Sequence, residues 1–296
     1  MSTSGTSKTT VFFGSGPVAA ECLRLLLQHT IVEAVITKPR LPHHRGRTPV
    51  LELAKEYNLR IVTASTKKEL DNAIATANFS SSYATLIDFG IIVSQQVIDY
   101  FPLGIINSHF SLLPLLRGAD PITWAIANGD TKTGVSLMMV DKGMDTGKLL
   151  TQRTLHIDEQ ETAPTLTNRL IVLSDQLIQE YVQNYLAGGL KPKNQPHPDR
   201  ATYSRKLTKQ DGIIDWSKPA AQIEREIRAF QPWPASRTTI GPVEVILTKA
   251  HISSGSEEGL NKKCGDSKYL IIDRLKPIGK KEMSAQSFLA GYKNKI

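Results

Sequence analysis

The stretch from Ile105 to Pro114 joins an apolar run to side chains that can do chemistry, in the order Ile-Ile-Asn-Ser-His-Phe-Ser-Leu-Leu-Pro. Because alternate residues of a strand point to the same face, Asn107 and His109 are predicted to emerge together where the strand gives way to a loop. Strand ends of this kind are the usual place for ligands in open α/β sheets. An amide donor beside an imidazole is suited to stabilising the oxyanion that forms when a carbonyl is attacked.

A carboxylate with a matching role lies downstream, in the loop that follows the apolar run Val135–Val140. Gly143 and Gly147 flank Asp145, and glycine permits a tight loop that could bring this carboxylate against His109. A carboxylate near the imidazole would hold its orientation and favour its protonated form. A lone histidine at a strand end is an ordinary structural residue, but the three groups together predict a site that acts on a carbonyl carbon.

Short strand-like runs alternate with helical stretches over the first 187 residues, which is typical of a mostly parallel sheet flanked by helices. Strands are predicted at 10–14, 31–37, 61–63, 84–87, 105–108 and 135–140. Helices are predicted at 18–28, 48–57, 67–77, 94–100 and 165–187, and the last carries Leu170, Leu173, Leu177 and Tyr181 at the spacing of one buried face. The site would therefore stand at the edge of an α/β sheet.

The remainder of the chain has a different pattern. Residues 188–204, rich in Gly, Pro and charge, are predicted to form a linker. Beyond it come one helix at 219–230 and short strand-like runs at 243–248 and 269–273, whose Gly-rich connections suggest a small barrel. We therefore predict one domain over 1–187 and a second over 205–296.

Charge separates the same two parts. Residues 1–190 hold 16 Lys and Arg against 17 Asp and Glu, whereas residues 191–296 hold 20 against 11. A basic module attached to a neutral one suggests that the second part meets a polyanion while the first does chemistry. A solvated basic surface without a partner is the alternative that charge alone leaves open.

Several other classes of protein are disfavoured. Gly14-Ser15-Gly16 follows a strand, but Ala19 and the absence of an acidic residue after the second strand do not fit a dinucleotide fingerprint. No run approaches the length of a membrane span, and Met1–Thr10 is polar, unlike a secretory signal. Cys22 and Cys264 lie far apart in sequence and predict free thiols in a reducing compartment. A cytoplasmic protein is expected.

Several motifs resemble one known family. Asn-x-His-x-Ser-Leu-Leu-Pro at 107–114, with Arg117–Ile122 and Asp145-Thr146-Gly147, resembles the formyltetrahydrofolate-dependent transferases. The segments Lys206–Trp216, Arg228–Pro234 and Gly279–Leu289 are similar to those of the methionyl-tRNA formyltransferases within that family. The resemblance covers nearly the whole chain, from about Thr10 to Tyr292.

The resemblance implies a Rossmann-like formyltransferase domain with a mostly parallel sheet, followed by an OB-like β-barrel that binds tRNA. It implies 10-formyltetrahydrofolate as donor and the α-amine of initiator methionyl-tRNA as acceptor. Asn107 and protonated His109 would donate hydrogen bonds to the tetrahedral intermediate, while Asp145 would orient His109 and relay a proton. No metal is expected, because the formyl group is already activated and the sequence clusters no ligands. We expect the protein to be a monomer.

The resemblance also maps the binding residues. The folate pocket falls on Phe89, Gly90 and Ile91, on Ser111, Leu112, Leu113 and Pro114, and on Val140 and Asp141 in the loop to Asp145. The basic loop 38–47 matches the loop that the family inserts into the acceptor stem, and Arg40, Arg45 and Arg47 would contact tRNA there. Such side chains supply salt-sensitive phosphate contacts, and Arg45 could also reach a base edge. The alternative is a merely solvated loop.

Three other functions remain open at this point. A sugar N-formyltransferase or a formyltetrahydrofolate hydrolase could use the same three catalytic groups, but neither gives the basic second half an evident purpose. A catalytically silent RNA-binding protein with this fold would be expected to have lost one of Asn107, His109 and Asp145. All three are present.

Overall fold

The computed structural model describes residues 9–40 and 46–293, which form two compact units. The first unit comprises the described residues of Met1–Arg117, Gly134–Leu155 and Asn168–Tyr203. The second comprises those of Gly118–Thr133, His156–Thr167 and Ser204–Ile296. Each unit thus draws on separate stretches of the chain.

Strands and helices alternate through the first part of the chain, and strands dominate the last part. The strands are β1 (Thr9–Phe13), β2 (Ile31–Thr37), β3 (Ile61–Thr63), β4 (Ala84–Leu86), β5 (Ile105–His109), β6 (Arg117–Gly118), β7 (Lys132–Met139), β8 (Leu149–His156), β9 (Tyr203–Ser204), β10 (Ser236–Ile240), β11 (Val243–Ser253), β12 (Asn261–Lys263), β13 (Tyr269–Pro277) and β14 (Met283–Ser284). The helices are α1 (Pro17–Leu26), α2 (Pro49–Glu56), α3 (Lys67–Ala75), α4 (Gln95–Asp99), α5 (Pro121–Asn128), α6 (Ala163–Leu186), α7 (Ala220–Ala229) and α8 (Ala285–Tyr292).

The first unit is built on a seven-stranded sheet in the order β3-β2-β1-β4-β5-β7-β8. Strands β1 to β5 pair in parallel, and β7 runs antiparallel to β5. Parallel neighbours require crossover connections, and α1 to α4 supply them between successive strands. The mostly parallel sheet predicted from the sequence is confirmed, and β5 lies inside it, between β4 and β7.

The core of this unit explains why β5 is fixed. All five of its residues are buried, and its apolar residue Ile105 packs in a cluster with residues of β1, β2 and the helices. Phe13 lies at the centre of this cluster and meets Phe89 and Phe101 edge to face, with ring centroids 5.4 and 6.0 Å away. Burying each such side chain contributes about 1.5–3 kcal/mol. The strand that carries Asn107 and His109 is therefore held rigidly.

Several helix starts follow directly from their capping residues. Thr66 accepts a hydrogen bond from the backbone N–H of Glu69 at the start of α3, and the Glu69 carboxylate accepts one from the N–H of Ser65. Ser94 and Ser284 cap α4 and α8 in the same manner. Such caps satisfy the free N–H groups of a first turn and contribute about 1 kcal/mol each.

The second unit contains a five-stranded antiparallel sheet in the order β10-β11-β13-β12, with β14 paired to β13. The register of β11 against β13 shifts around Lys249, and irregularities of this kind bend a strand. Ile223 and Ile227 of α7 pack with Leu247 of β11 and Phe288 of α8 in one buried cluster. A bent antiparallel sheet of this size is consistent with the small barrel domain predicted from the sequence.

Candidate active site

Asn107 and His109 occupy the end of a strand whose residues are all buried. Both side chains lie on the face predicted by strand alternation, and His109 is only 6% exposed. Between them, Ser108 points the other way and its Oγ lies 2.7 Å from the Oγ of Ser174 in α6. The side chains of Asn107 and His109, at the end of β5, thus share one side of the sheet.

Asp145 reaches both of these side chains from the loop between β7 and β8. The Asn107 Nδ2 donates to Asp145 Oδ1 at 3.4 Å, and His109 Nδ1 lies 3.6 Å from Asp145 Oδ2. The loop begins where the N–H of Val140 bonds the carbonyl of Ile105 at 2.8 Å, and it then folds back along β5. An amide, an imidazole and a carboxylate therefore converge on one small region.

The neighbours of its two ring nitrogens explain the orientation of the His109 ring. Its Nε2 lies 2.9 Å from the carbonyl oxygen of Leu116, which can only accept a hydrogen bond. Nε2 therefore carries a proton, and Nδ1 is the ring nitrogen that faces Asp145. Asn107 and His109 therefore both direct a nitrogen towards the carboxylate of Asp145.

The loop that carries Asp145 is tightly wound. Asp145 itself has φ +52°, a left-handed conformation that non-glycine residues seldom adopt and that costs of the order of 1 kcal/mol. Asp141 Oδ1 accepts from the N–H of Gly143 at 3.1 Å and from Thr146 Oγ1 at 2.7 Å. A Cβ on Gly147 would lie 1.7 Å from the carbonyl oxygen of Met139, so only glycine fits there. Both glycines singled out from the sequence stand in crowded positions.

Two further residues hold this loop, and this role was predicted from the sequence for neither of them. Gln195 Nε2 donates to the carbonyl of Asp145 at 2.7 Å and to that of Gly147 at 3.0 Å. Arg117 Nη2 donates to Gln195 Oε1 at 2.6 Å. Gln195 belongs to the segment predicted as a linker, where no periodicity or motif marks it, whereas Arg117 lies in a motif that the resemblance did include.

The predicted folate-pocket stretch Ser111–Pro114 is fixed by a buried polar network. Ser136 Oγ donates to the carbonyl of Ser111 at 2.6 Å and accepts from the N–H of Leu113 at 3.1 Å. Gln152 Nε2 adds a bond to the carbonyl of Leu113 at 2.8 Å. Ser111, Leu113 and Pro114 are buried, while Leu112 is half-buried. The stretch presents a fixed backbone.

The other two predicted folate stretches differ in exposure. Phe89 is buried in the core, so its side chain serves packing, whereas Gly90 is exposed and its carbonyl accepts from Lys38 Nζ at 3.2 Å. Ile91 and Val140 are half-buried, and Asp141 is exposed. Gly90 has φ +66°, which favours glycine.

The space beside the turn Gly14–Gly16 is occupied by another residue of the chain, Asp88. The N–H groups of Ser15 and Gly16 donate to the carbonyl of Asp88 at 3.0 and 3.4 Å. A Cβ on Gly16 would come within 1.8 Å of the Asp88 carboxylate, so that carboxylate occupies the space beside the start of α1. A carboxylate in this position would repel a phosphate at the start of α1. The geometry therefore supports the tight turn, and not a dinucleotide site.

Two of the three predicted tRNA-contacting arginines fall in the described part of the chain. Arg40 and Arg47 are exposed, and Arg47 Nε donates to Glu52 Oε2 at 3.2 Å. The bond from the N–H of Thr48, followed by the Arg47 side chain, holds the pKa of Glu52 below its usual range. Arg45 lies outside the described residues. Of the two predicted arginines that the structure describes, neither Arg40 nor Arg47 bonds to Asn107, His109 or Asp145.

Three further features of the described residues bear on cysteine reactivity, metal binding and membrane spanning. Cys22 and Cys264 are free and buried, and burial raises the pKa of both thiols, which makes them poor nucleophiles. Among residues 9–40 and 46–293, no three His, Cys, Asp or Glu side chains come together as metal ligands would. No helix in the same ranges has the length and apolar composition to cross a bilayer.

Comparison with known proteins relates both halves of the chain to one enzyme class. Residues 8–182 match the family model described as "Formyl transferase", and residues 206–293 match "Formyl transferase, C-terminal domain". The methionyl-tRNA formyltransferase of Myxococcus xanthus is 34% identical over 96% of this chain and 95% of its own length. That of Gluconobacter oxydans is 36% identical over 95% and 96%.

A solved structure has a similar fold at lower identity. The N-formyltransferase from Helicobacter canadensis, in complex with folinic acid and dTDP-3-aminofucose, gives a TM-score of 0.67 at 19% identity. The similarity covers 90% of this chain and 98% of that one. Sequence relatives and the shared fold therefore place Asn107, His109 and Asp145 inside a domain of the formyl-transferring type.

Proposed function

The chain belongs to the formyl transferase family, among the methionyl-tRNA formyltransferases, and on that premise we propose that it moves the formyl group of 10-formyltetrahydrofolate to the α-amine of initiator methionyl-tRNA. One observation carries this proposal. Asn107, His109 and Asp145 converge within 3.4–3.6 Å at the end of β5. The distances fit three groups that act on a single carbon.

The reaction forms a bond between the methionyl nitrogen and the formyl carbon and breaks the bond from that carbon to N10 of the folate. The formyl oxygen carries negative charge in the tetrahedral intermediate, while one proton leaves the amine and one arrives on N10. Asn107 Nδ2 and His109 Nδ1 are the donors that would stabilise this oxygen. Asp145 would orient the His109 ring through Nδ1, and would pass the proton from the amine towards N10.

We infer that the folate would meet apolar side chains as well as backbone groups of the predicted pocket stretches. Three large apolar side chains next to or inside the predicted pocket stretches are exposed, namely Ile92 at 77%, Leu115 at 45% and Met144 at 63%. Ile92, Leu115 and Met144 adjoin or lie in the predicted pocket stretches, which supports a role for them in apolar contacts to the folate. Together with the backbone of Phe89–Ile91, Ser111–Pro114 and Val140–Asp141, they would hold the planar pterin ring.

The tRNA would be held by cationic side chains outside the catalytic cluster. Arg40, Arg45 and Arg47 of the basic loop and the basic domain at 205–296 would supply phosphate contacts. In this scheme residues 1–187 carry catalysis and residues 188–204 connect the two functions. We propose that the protein works as a cytoplasmic monomer.

A formyl-transfer assay with purified protein tests the proposal. The donor is 10-formyltetrahydrofolate, and the acceptors, run side by side, are methionyl initiator tRNA and an amino sugar nucleotide. We expect product with the tRNA only. Product with the sugar nucleotide alone would identify a sugar N-formyltransferase instead, and release of formate without either acceptor would identify a hydrolase.

A further inference from the structure

Gln195 has more contacts to the catalytic loop than any structural role for a linker would need. It is 7% exposed, and its two amide hydrogens go to the carbonyls of Asp145 and Gly147, on either side of Thr146. Its amide oxygen accepts from Arg117 Nη2 at 2.6 Å. One side chain thus uses both ends of its amide to join the loop to another segment.

The loop requires an external restraint of this kind. Asp145 is held at φ +52°, and a non-glycine residue stays in this conformation only where the surroundings impose it. The hydrogen bonds that Gly143 and Thr146 donate to Asp141 Oδ1 wind the loop locally, but they do not attach it to other segments of the unit. The amide of Gln195 makes that attachment at the backbone of Asp145 itself.

The amide oxygen of Gln195 connects the loop, through Arg117, to the residue that orients His109. Arg117 follows Leu116, whose carbonyl accepts the hydrogen bond from His109 Nε2. Thr202 fixes the same two residues, because its Oγ1 accepts from the N–H of Leu116 at 2.8 Å and its carbonyl accepts from the N–H of Arg117 at 2.9 Å. The acceptor that orients the imidazole and the backbone that carries the carboxylate are therefore joined through Gln195.

The segment that carries Gln195 is hydrogen-bonded to the main sheet. Lys193 and Leu149 exchange two backbone hydrogen bonds, of 2.7 and 2.8 Å, at the start of β8. Gln195 is thereby attached to the sheet two residues before its side chain enters the site. All of these residues belong to the first unit.

We propose that Gln195 is a positioning residue that sets the distance between the Asp145 carboxylate and the His109 ring. The proposal rests on the proposed function, because it concerns the geometry of the same three catalytic groups. Arg117 acts with Gln195 by fixing the orientation of its amide. The segment 193–202 is then part of the catalytic apparatus as well as a connection.

The variant Gln195→Leu tests this, since it removes the amide with little change in size. A misplacement of about 1 Å in a catalytic group can cost on the order of 10²-fold in rate, so kcat should fall between about 10-fold and 100-fold. KM for the folate and for the tRNA should stay within about twofold, because the ground-state contacts remain. Gln179→Leu, which removes a hydrogen bond to Asp175 on the surface of α6, is the matched control and should keep wild-type kcat.

A double variant separates positioning from general stability. In an Asp145→Asn background, Gln195→Leu should cause almost no additional loss of kcat, because its effect passes through the carboxylate. Losses that multiply would overturn the proposal, as would an unchanged kcat in Gln195→Leu. If Gln195→Leu does not fold, Gln195→Glu serves in its place, since it keeps the contact to Arg117 and removes both donors to the loop. Wild-type protein without transfer activity would instead refute the proposed function.

Discussion

The cluster of Asn107, His109 and Asp145, for which we propose a catalytic role, and the cationic side chains of the second unit are built in opposite ways. His109 is buried and both of its ring nitrogens face a defined partner, and the loop of Asp145 is bonded through its backbone to Gln195. Lys262, Lys263, Lys268, Lys280 and Lys281, by contrast, are all exposed. One region fixes a few atoms, whereas the other spreads charge over a surface.

The difference reflects what each task demands. Stabilising a transition state requires donors whose positions are set before the reaction, so each atom matters. Attracting a polyanion requires a density of positive charge, and individual side chains can substitute for one another. Substitutions in the cluster should therefore be severe and coupled, while substitutions among the exposed cations should be mild and additive.

The largest effect is expected from Asp145→Ala. Removing the carboxylate takes away the partner of both Asn107 and His109, and kcat should fall by about 10³-fold or more. Binding of tRNA, measured by filter retention, should stay close to that of wild type, because the exposed cations are untouched. Retained turnover would refute the role assigned to Asp145.

Asn107→Ala should have the next largest effect. It removes one donor to the developing oxyanion, and the loss of one such donor costs about 10²–10³ in kcat. The fall should be seen in single-turnover experiments with saturating tRNA, where binding steps do not limit the rate. Ser174→Ala, which removes a buried hydroxyl behind the same strand, is the control for a purely structural disturbance. A similar fall in both variants would argue against Asn107 as a donor.

Much of this cluster could be predicted from the sequence because its signals are local. Strand alternation was sufficient to pair Asn107 with His109, and the glycines around Asp145 predicted a tight loop. Gln195 could not be predicted, because its role comes from a contact with residues 50 positions away and its own surroundings resemble a linker.

The strands and helices likewise divide into those that a local sequence pattern predicts and those that it does not. The parallel strands β1 to β5 are marked by short apolar runs, and each was predicted within one or two residues. Strand β8 was not predicted, because Leu149–His156 has only two fully buried residues and its polar remainder gives no strand pattern. Helix α5 was not predicted either, since its eight residues leave little periodicity, and the motif Arg117–Ile122 reaches only its first two residues.

Arg45→Ala tests whether a single cation of the basic loop 38–47 contributes to tRNA binding, and its expected effect is smaller. The loss of one phosphate contact should raise KM for tRNA several-fold and lower the slope of log KM against log salt by about 1. At saturating tRNA the kcat should be unchanged. Lys68→Ala, an exposed cation of α3, should alter neither quantity. An Arg45 variant with wild-type salt dependence would count against the basic loop as a tRNA contact.

The smallest effect concerns stability alone and comes from Asp211 in the second unit. Its carboxylate accepts from Arg205 Nη1 at 2.9 Å and from the N–H and hydroxyl of Thr208 at 2.7 and 2.8 Å. The Arg205 guanidinium, followed by Thr208, holds the pKa of Asp211 well below its usual range. A carboxyl whose pKa is lower in the folded than in the unfolded protein stabilises the fold above the unfolded pKa of about 4, and this contribution fades as the pH falls further.

Asp211→Asn should therefore lower the free energy of unfolding at pH 7 by about 1 kcal/mol, a modest value because the Arg205 side chain is largely exposed. The difference from wild type should shrink as the pH falls below about 4, since the unfolded wild-type chain takes up a proton on Asp211 there that the folded protein, with its lowered pKa, does not bind. Urea unfolding at a series of pH values measures it, with Glu258→Gln as an exposed acidic control in the same unit. A difference that stays constant or grows in acid would contradict this assignment. The Asp211 carboxylate is hydrogen-bonded to Arg205 and Thr208, so the kcat of the Asp211→Asn variant should equal that of wild type. A substitution in the second unit would then change stability without changing catalysis, whereas a substitution in the Asp145 loop should change catalysis.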